Sequence, residues 1–468
     1  MKLLLIMPDA HMHKLRIGPL VRSMREAPLT LTTLAALTRR DSTIDMHLVD
    51  ESVQRVPLGY RADIVGISAI TGCASRAYEL ARHFRDRGIP VVLGGIHVTI
   101  LPDEAKAHAD AIVIGPAERT WPRLIADFRA GQLKPVYRDA DSDADDDPLS
   151  GIPPPRRDLQ RNWAYNVPNT VQATRGCKRA CDFCTVPVVW PRQYLLRPVG
   201  DVIADIKTTR GKLLAFNDVS LVDDPAYAEE LFTAMIPLKK RWGGLVTADI
   251  MRRPHLVELM AQSGCVYLLI GFESVNGSSL CRISKGFNKP ERYKDLMQLL
   301  HQWGISVQGC FVFGFDEDEE DVFAATVERV NELKIDIPRY SLYTPYPGTR
   351  LFRRLMAEER ILSYNWNDYD TMHVVIRPKL MTPDELYAGF KWAYKKTFTI
   401  RNIARRLDGL TFNTAVNFAG NLTYRIFVKR LYTEARFATP YSVDAPGEPP
   451  ASLLGEPPSI RKEPSCLA

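Results

Sequence analysis

Short apolar segments alternate with amphipathic helical patterns through most of this 468-residue chain. In the first third, apolar segments predict strands at residues 2–7, 46–49, 64–70, 90–93 and 111–114. Helical patterns separate or follow them, including residues 29–40, 74–87 and 119–130. Continuous apolar strands that alternate with amphipathic helices are typical of a parallel sheet covered on both faces. The pattern therefore predicts an α/β, doubly wound, Rossmann-like domain over residues 1–135.

A second alternation begins at Thr170 and continues to residue 362. Its predicted strands are residues 170–174, 213–216, 245–248, 266–270, 307–313 and 339–344. Each is followed by a helical pattern, at residues 199–209, 227–242, 254–262, 290–303, 319–333 and 349–362. Six β–α units predict an open, partial (β/α)6 barrel over residues 167–362. Chemistry in such barrels occurs at the carboxyl ends of the strands.

Three further segments lack this alternation. Residues 136–166 contain an acidic run at 139–147 and three consecutive prolines, which predict an exposed linker. A metal site formed by the acidic run is the more specific alternative. Residues 363–440 predict a mainly helical C-terminal extension, in which Thr382-Pro-Asp-Glu385 begins a helix. Residues 441–468, with Gly-Glu-Pro-Pro twice, predict a disordered tail.

Composition indicates a globular protein of the reducing cytoplasm. Hydrophobic residues make up 46% and charged residues 25%, and a net charge of +6 does not favour nucleic acid as a partner. No apolar run reaches the ~18 residues that span a bilayer. Residues 401–436 interleave seven basic residues with apolar ones. A basic helix packed on the barrel is the simpler interpretation; the alternative is peripheral contact with the inner face of the membrane.

Three cysteines follow the first barrel strand at a spacing of C-x3-C-x2-C: Cys177, Cys181 and Cys184. Thiolates this close can reach one inorganic centre, and three leave one metal position open for a substrate or cosubstrate. No histidine follows until His255. A partial zinc knuckle or coincidence is the alternative interpretation.

This spacing, with Phe183 before the last cysteine, resembles the radical S-adenosylmethionine (SAM) superfamily, in which a [4Fe–4S] cluster chelates and cleaves SAM. Other strand ends also resemble that family: Gly271-Phe-Glu273-Ser274, Gln308-Gly309-Cys-Phe-Val-Phe and Thr344-Pro-Tyr-Pro-Gly-Thr349. The resemblance implies that SAM is bound by residues at several strand ends. These are Phe183, Asn217, Asp218, Glu273, Ser274 and Gly309.

The first domain contains Gly94-Gly-Ile-His-Val-Thr99 and resembles the cobalamin-binding domain that precedes many radical SAM barrels. The resemblance implies cobalamin contacts at Ser68, Thr71, Gly94, Gly95, His97, Gly115 and Glu118. The family commonly has Gly-Glu-x-Glu at the last of these sites, whereas this chain has Gly115-Pro116-Ala117-Glu118. His11 lies where other B12 proteins carry a cobalt ligand, but an exposed loop histidine is expected here.

Together the two resemblances imply a cobalamin-dependent radical SAM enzyme that methylates an unactivated carbon of a small-molecule or lipid substrate. The implied cofactors are the [4Fe–4S] cluster, SAM and cobalamin, with flavodoxin or ferredoxin as reductant. No residue is predicted to be catalytic in its own right. Cyclisation, rearrangement or oxidation without methyl transfer is the second hypothesis, and a non-catalytic corrinoid or cluster sensor is the third. A methylthiotransferase is disfavoured, because the first domain has only Cys73 where three cysteines would be needed.

Overall fold

The structure is a computed structural model of the chain. It describes residues 1–9, 14–17, 20–38, 43–138, 149–191, 193–407, 412–440 and 449. The chain divides into two compact units, which are described separately below. The first unit comprises Met1–Gly176 and Val186–Asn217, and the second comprises Cys177–Thr185 and Asp218–Pro449. His11, the acidic run at 139–147 and the predicted tail, apart from Pro449, lie outside the described residues.

The strands are β1 (Lys2–Met7), β2 (Lys14–Ile17), β3 (Leu20–Glu26), β4 (Asp45–Asp50), β5 (Ile64–Ser68), β6 (Val91–Gly94), β7 (Ala111–Ile114), β8 (Val136–Arg138), β9 (Tyr165–Val167), β10 (Thr170–Val171), β11 (Thr174–Gly176), β12 (Tyr194–Leu196), β13 (Leu213–Phe216), β14 (Arg241–Val246), β15 (Cys265–Glu273), β16 (Ser306–Phe313) and β17 (Ile337–Leu342).

The α-helices are α1 (Thr30–Thr38), α2 (Ala74–Arg85), α3 (Ile96–Ile100), α4 (Pro102–Lys106), α5 (Thr120–Arg129), α6 (Val186–Val189), α7 (Val199–Thr208), α8 (Pro225–Met235), α9 (Pro254–Gln262), α10 (Gly277–Arg282), α11 (Tyr293–Gln302), α12 (Val322–Glu332), α13 (Arg350–Ala357), α14 (Pro383–Thr397), α15 (Ile400–Arg406) and α16 (Phe412–Thr433).

The first unit is built on a parallel sheet with strand order β4-β1-β5-β6-β7-β8. Alternate residues of β1 enter two different cores because successive side chains of a strand point to opposite faces. Leu4 packs with α2, α3 and α4 on one face, and Leu5 packs with α1 and α5 on the other. The prediction of a doubly wound α/β domain is therefore confirmed.

Two features of this unit differ from the sequence prediction. The sheet continues through β8, three residues beyond the predicted domain end at 135. A separate three-stranded sheet, β2-β3-β9, joins the region after β1 to residues in the predicted linker. Both were missed because their strands lack the continuous apolar run that marks a buried parallel strand.

The predicted strand 170–174 is divided in the structure. β10 pairs in parallel with β13, whereas β11 pairs antiparallel with β12. Glycine is required at position 176 because its φ is +89° and an added Cβ would lie 2.1 Å from the Gln193 carbonyl oxygen. β11, which precedes the three cysteines in the chain, is thus paired with β12, which follows them.

The second unit contains the parallel strands β14-β15-β16-β17 with α9, α11 and α12 between them. Stacked and tilted rings form part of its core, among them Phe272, Phe311 and Tyr340. The predicted helix 227–242 ends at Met235. It stops because Pro237 follows and Lys239 has a left-handed φ of +49°, after which β14 begins. All six predicted barrel strands overlap strands of the structure, and the β–α order is confirmed.

The C-terminal extension is helical, as predicted. Thr382 and Glu385 form a reciprocal capping box at the start of α14, with Pro383 in the first helical turn. The Tyr394 hydroxyl donates to the Tyr340 carbonyl oxygen at 2.8 Å, which fixes α14 to β17. Among the described residues, no helix is both long enough and apolar enough to cross a membrane.

Candidate cofactor-binding site

The three cysteines lie in a short segment, hereafter the cysteine loop (Cys177–Cys184), and all three are half-buried. The Arg179 N–H lies 3.4 Å from the Cys177 sulfur. The Cys184 N–H donates to the Cys181 carbonyl oxygen at 3.3 Å. These contacts keep the loop compact and give one sulfur a backbone donor that favours its ionised form.

Asp182, inside the loop, attaches it to two other segments of the second unit. Its N–H donates to the Ile283 carbonyl oxygen at 3.2 Å, and its own carbonyl oxygen accepts from the Leu351 N–H at 3.1 Å. The Tyr343 hydroxyl lies 3.2 Å from each carboxylate oxygen. Burial raises the pKa of Asp182 to about 6, against the opposing effect of the Tyr343 hydrogen bond. The motif after β17 thus positions the cysteine loop.

A second clamp involves Arg350, whose guanidinium donates to the Ala180 carbonyl oxygen and to Ser284 Oγ. The Tyr343 ring also packs edge-on against Phe183, with ring centroids 6.2 Å apart. Neither Tyr343 nor Arg350 was among the predicted site residues. The signal was available, since the two residues directly flank the Thr-Pro-x-Pro-Gly-Thr motif.

The donor chemistry fits an iron–sulfur cluster. Burial raises the thiol pKa of Cys177 to about 12, and nearby Asp223 adds to the effect; burial likewise raises that of Cys181 to about 12. Iron offsets such a penalty because it binds the thiolate directly. Among the residues that the structure describes, no three His, Cys, Asp or Glu side chains are arranged as ligands of one metal ion. The fit of this site to an iron–sulfur cluster therefore rests on the three cysteine sulfurs and the cysteine loop that carries them.

A buried ion pair lies at the end of β15. Lys285 Nζ is 2.5 Å from Glu273 Oε1, and both side chains are about nine-tenths buried. Burial alone would lower the pKa of Lys285, but Glu273 and the thiol of Cys181 raise it, so the ammonium form is retained. A side chain in place of Gly271 would displace the pair, because an added Cβ would lie 2.2 Å from Glu273 Oε1 and 2.8 Å from Lys285 Nζ. Lys285 was not predicted, because a single buried lysine gives no periodic signal.

The other predicted SAM residues lie at strand ends, with different degrees of exposure. Ser274 is buried, and its Oγ accepts from the Asn276 N–H at 3.0 Å. Asp218 is buried, whereas Asn217 is exposed. An added Cβ on Gly309 would lie 2.8 Å from the Ile335 side chain, so packing alone requires this glycine. The roles of these residues toward SAM stay predictions.

In the first unit, the carboxyl ends of β6 and β7 are joined through Thr99. Its hydroxyl donates to the Gly95 carbonyl oxygen at 2.9 Å and accepts from the Gly115 N–H at 3.0 Å. Gly95 has a φ of +100°, and its Cβ would lie 2.6 Å from the Ala69 carbonyl oxygen. Gly115 has a φ of +81°, and no heavy atom of the other described residues lies within 4 Å of an added Cβ, chain neighbours apart. Open space beside the backbone fits a broad, flat ligand. Gly94, next to Gly95, ends β6, and half-buried Ser68 ends β5.

His97 is fully buried, and both of its ring nitrogens face partners inside the first unit. Nδ1 lies 3.3 Å from Thr71 Oγ1. Nε2 lies 3.1 Å from the Tyr78 hydroxyl and 3.2 Å from Glu104 Oε1. The ring is therefore placed to orient Thr71. A role for His97 and Thr71 toward cobalamin stays a prediction, and this geometry favours an indirect one for His97.

Glu118 forms an ion pair with Arg175 at 2.5 Å, and both side chains are nearly buried. Arg175 also donates to Gln172 Oε1 at 2.9 Å. The other oxygen of the carboxylate, Glu118 Oε2, is buried with no hydrogen-bond partner among the described residues. A buried acceptor of this kind is costly unless a ligand satisfies it, and cobalamin carries amide side chains whose N–H groups can do so. Although Pro116 replaces the first glutamate of the family pattern, the carboxylate of Glu118 still provides an acceptor at this site.

We expect Glu118→Gln to weaken cobalamin binding by about tenfold or more. A hydrogen bond to a charged group contributes roughly 1.5–3 kcal/mol, and the substitution removes the charge while keeping the shape. The measurement is a spectroscopic titration of the anaerobic protein with cobalamin. Glu79→Gln, at an exposed position of the same unit, is the matched control. An unchanged dissociation constant for Glu118→Gln would exclude this contact.

Comparison with known proteins agrees with this geometry. A model of the B12 binding domain matches residues 22–125, and a model of the radical SAM superfamily matches residues 171–328. Bacteriochlorophyllide d C-12(1)-methyltransferase of Chlorobaculum tepidum is 30% identical over 423 residues, covering 86% of this chain and 90% of the relative. This chain belongs to the B12-binding radical SAM methyltransferase family.

Two further methyltransferases are also similar to this chain. Bacteriochlorophyllide d C-8(2)-methyltransferase of the same organism is 29% identical, covering 80% of this chain and 86% of the relative. The hopanoid C-2 methylase of Rhodopseudomonas palustris is 23% identical, covering 64% and 59%. Membership confirms the prediction of a radical SAM enzyme with a [4Fe–4S] cluster, SAM and cobalamin that methylates unactivated carbon. The hypothesis of a non-catalytic sensor is set aside.

Solved structures support the fold of this family. The radical SAM methyltransferase TsrM from Kitasatospora setae aligns with a TM-score of 0.62 at 15% identity, covering 93% of this chain and 99% of that one. The cobalamin-dependent SAM radical enzyme OxsB aligns with a TM-score of 0.64 at 14% identity, covering 94% and 74%. The predicted order of a Rossmann-like domain, a partial barrel and a helical extension is confirmed.

Proposed function

We propose that this enzyme methylates a saturated carbon in a peripheral side chain of a chlorophyll-type tetrapyrrole. The observation that carries the proposal is the similarity, over most of both chains, to two methyltransferases that act on bacteriochlorophyllide d. Their names place the methyl group at two different positions of one ring system. The proposal accordingly specifies the substrate class and leaves the position on the ring to experiment.

The residues of this chain have distinct parts in the proposed reaction. When bound, the cluster and SAM supply a radical that removes hydrogen from the substrate, and cobalamin supplies the methyl group. Cys177, Cys181 and Cys184 hold the cluster, and Asp182 fixes their loop. At the end of β15, Glu273 forms a buried ion pair with Lys285, and its carboxylate can accept from SAM. The predicted flavodoxin or ferredoxin supplies the electron that SAM cleavage requires.

The test is turnover with isotopically labelled SAM under anaerobic, reducing conditions. The enzyme, loaded with cluster and cobalamin, is incubated with trideuteromethyl SAM and bacteriochlorophyllide d, Mg-protoporphyrin IX monomethyl ester or a hopanoid. We expect a trideuteromethyl group in the bacteriochlorophyllide product, together with 5′-deoxyadenosine. Mass spectrometry of the pigment and of the nucleoside measures both.

Other labelled or unlabelled products would contradict the proposal, each in a different way. Label in the hopanoid alone would retain methyl transfer but overturn the tetrapyrrole substrate. An unlabelled cyclised or oxidised pigment formed with 5′-deoxyadenosine would support the second hypothesis, a radical reaction without methyl transfer. Boiled enzyme and enzyme without cobalamin are the controls.

A further inference from the structure

The first half of α16 turns amides inward and apolar side chains outward. The Asn417 side chain donates to Ser306 Oγ at 2.9 Å and to Asp336 Oδ1 at 2.8 Å. The Asn421 side chain donates to the Asp336 carbonyl oxygen at 2.8 Å. Asn417 and Asn421 are 4% and 0% exposed, whereas Phe418 and Ile426 are 44% and 48% exposed. Packing onto the rest of the second unit therefore does not account for the apolar residues of the outer face.

The outer residues follow one stripe of the helix. Phe418, Leu422 and Ile426 are spaced four residues apart, and residues at this spacing lie on one face. Nearby helices add to the exposed apolar surface. Six of the thirteen large apolar side chains that are substantially exposed in the described residues lie in α14, α15 and α16: Trp392, Ile400, Val416, Phe418, Ile426 and Tyr432. Val416, two residues before Phe418, lies off the stripe.

The same region is strongly basic. Between Lys391 and Thr433 the sequence has nine lysines and arginines and one acidic residue, Asp408. Three of the nine do not add free charge to the surface, because Arg406 is buried and Arg405 and Arg430 form ion pairs with Glu328 and Glu434. Lys429 is exposed beside the apolar stripe, and exposed Lys395 lies with its ammonium 5.5 Å from the Tyr432 ring. α16 itself has no aspartate or glutamate. This face is therefore complementary to an occupant that is apolar in its middle and negatively charged around it.

We propose that this face, formed by α14, α15 and α16, docks on an anionic lipid bilayer. A helix with exposed aromatic and aliphatic side chains in line with lysines is the pattern of a segment that lies in the membrane interface. Phe418, Leu422 and Ile426 enter the boundary between head groups and acyl chains, and Lys395 and Lys429 bind the lipid phosphates. The proposal concerns a surface contact and does not depend on the tetrapyrrole substrate.

The test is flotation of the full-length protein with vesicles. Vesicles of equal parts phosphatidylglycerol and phosphatidylcholine are compared with pure phosphatidylcholine at low and high salt. We expect binding to the anionic vesicles that falls as salt rises. The double variant Phe418→Ser, Ile426→Ser should bind the anionic vesicles at least about tenfold more weakly than the wild type. The double variant Lys395→Glu, Lys429→Glu should bind them only weakly at any salt concentration.

Matched controls separate membrane binding from a general change in the surface. Leu58→Ser, at a similarly exposed apolar position in the first unit, should bind vesicles like the wild type. Retained cobalamin binding and an unchanged Tm show that each variant is folded. Two results would overturn the proposal. One is equal binding of wild type and the Phe418→Ser, Ile426→Ser variant. The other is a wild-type dimer by light scattering that this variant converts to monomer, with no vesicle binding by either.

Discussion

Replacing Cys181 with alanine is expected to abolish cluster incorporation and SAM cleavage while leaving cobalamin bound. Only three sulfur donors are available in the cysteine loop, and a cluster held by two cannot keep the open-iron arrangement on which SAM binding depends. Loss of an outer partner of a metal site already costs about 10–100-fold, so loss of a ligand should exceed that range. Iron analysis, electron paramagnetic resonance of the reduced protein and 5′-deoxyadenosine formation measure the effect.

The matched control is Cys265→Ala. Cys265 is buried at the start of β15, and burial raises the pKa of its thiol, as it does for Cys181. It should retain full iron content and full SAM cleavage, with at most a modest loss of stability from the small cavity. A Cys181→Ala protein that still incorporates a complete cluster would show that the three cysteines are not its ligands.

Replacing Lys285 with methionine is expected to destabilise the protein by about 3–5 kcal/mol. The substitution leaves the Glu273 carboxylate buried without its charge partner, and breaking a buried pair costs about that much. We also expect weaker SAM binding, because the ion pair with Lys285 holds the Glu273 carboxylate in the position from which it would accept an ammonium donor. Urea unfolding measures stability, and equilibrium dialysis of the cluster-loaded protein measures SAM binding.

A double-mutant cycle identifies the cause. Lys285→Met combined with Glu273→Leu should recover most of the lost stability, because an apolar pair of similar volume needs no charge partner. It should not recover SAM binding if Glu273 contacts SAM. Equal stability losses in the single and double variants would mean that the destabilisation comes from packing around Lys285 rather than from the pair.

The strands and their order were predictable because each buried parallel strand carries its own apolar run. Residues 111–114, for example, coincide with β7. The weakly apolar strands β2, β3, β8 and β9 were not predictable, since their position depends on what they pair with. The cysteine loop was predictable because three ligands in eight residues are a local signal. Its clamp by Tyr343 required the fold, as 161 residues separate Tyr343 from Asp182.

The sequence by itself determined the two β–α series, the cysteine spacing and the family resemblance, because all of these are patterns among near neighbours in the chain. The tertiary structure decided which charged side chains meet. Glu118 and Arg175 are 57 residues apart and pair only after folding, and the same folding leaves Glu118 Oε2 without a hydrogen-bond partner in the part of the chain that the structure describes. It also decided that α16 buries Asn417 and Asn421 and exposes Phe418 and Ile426. Residue types alone predict the opposite, because apolar side chains normally face the core and amides normally face water.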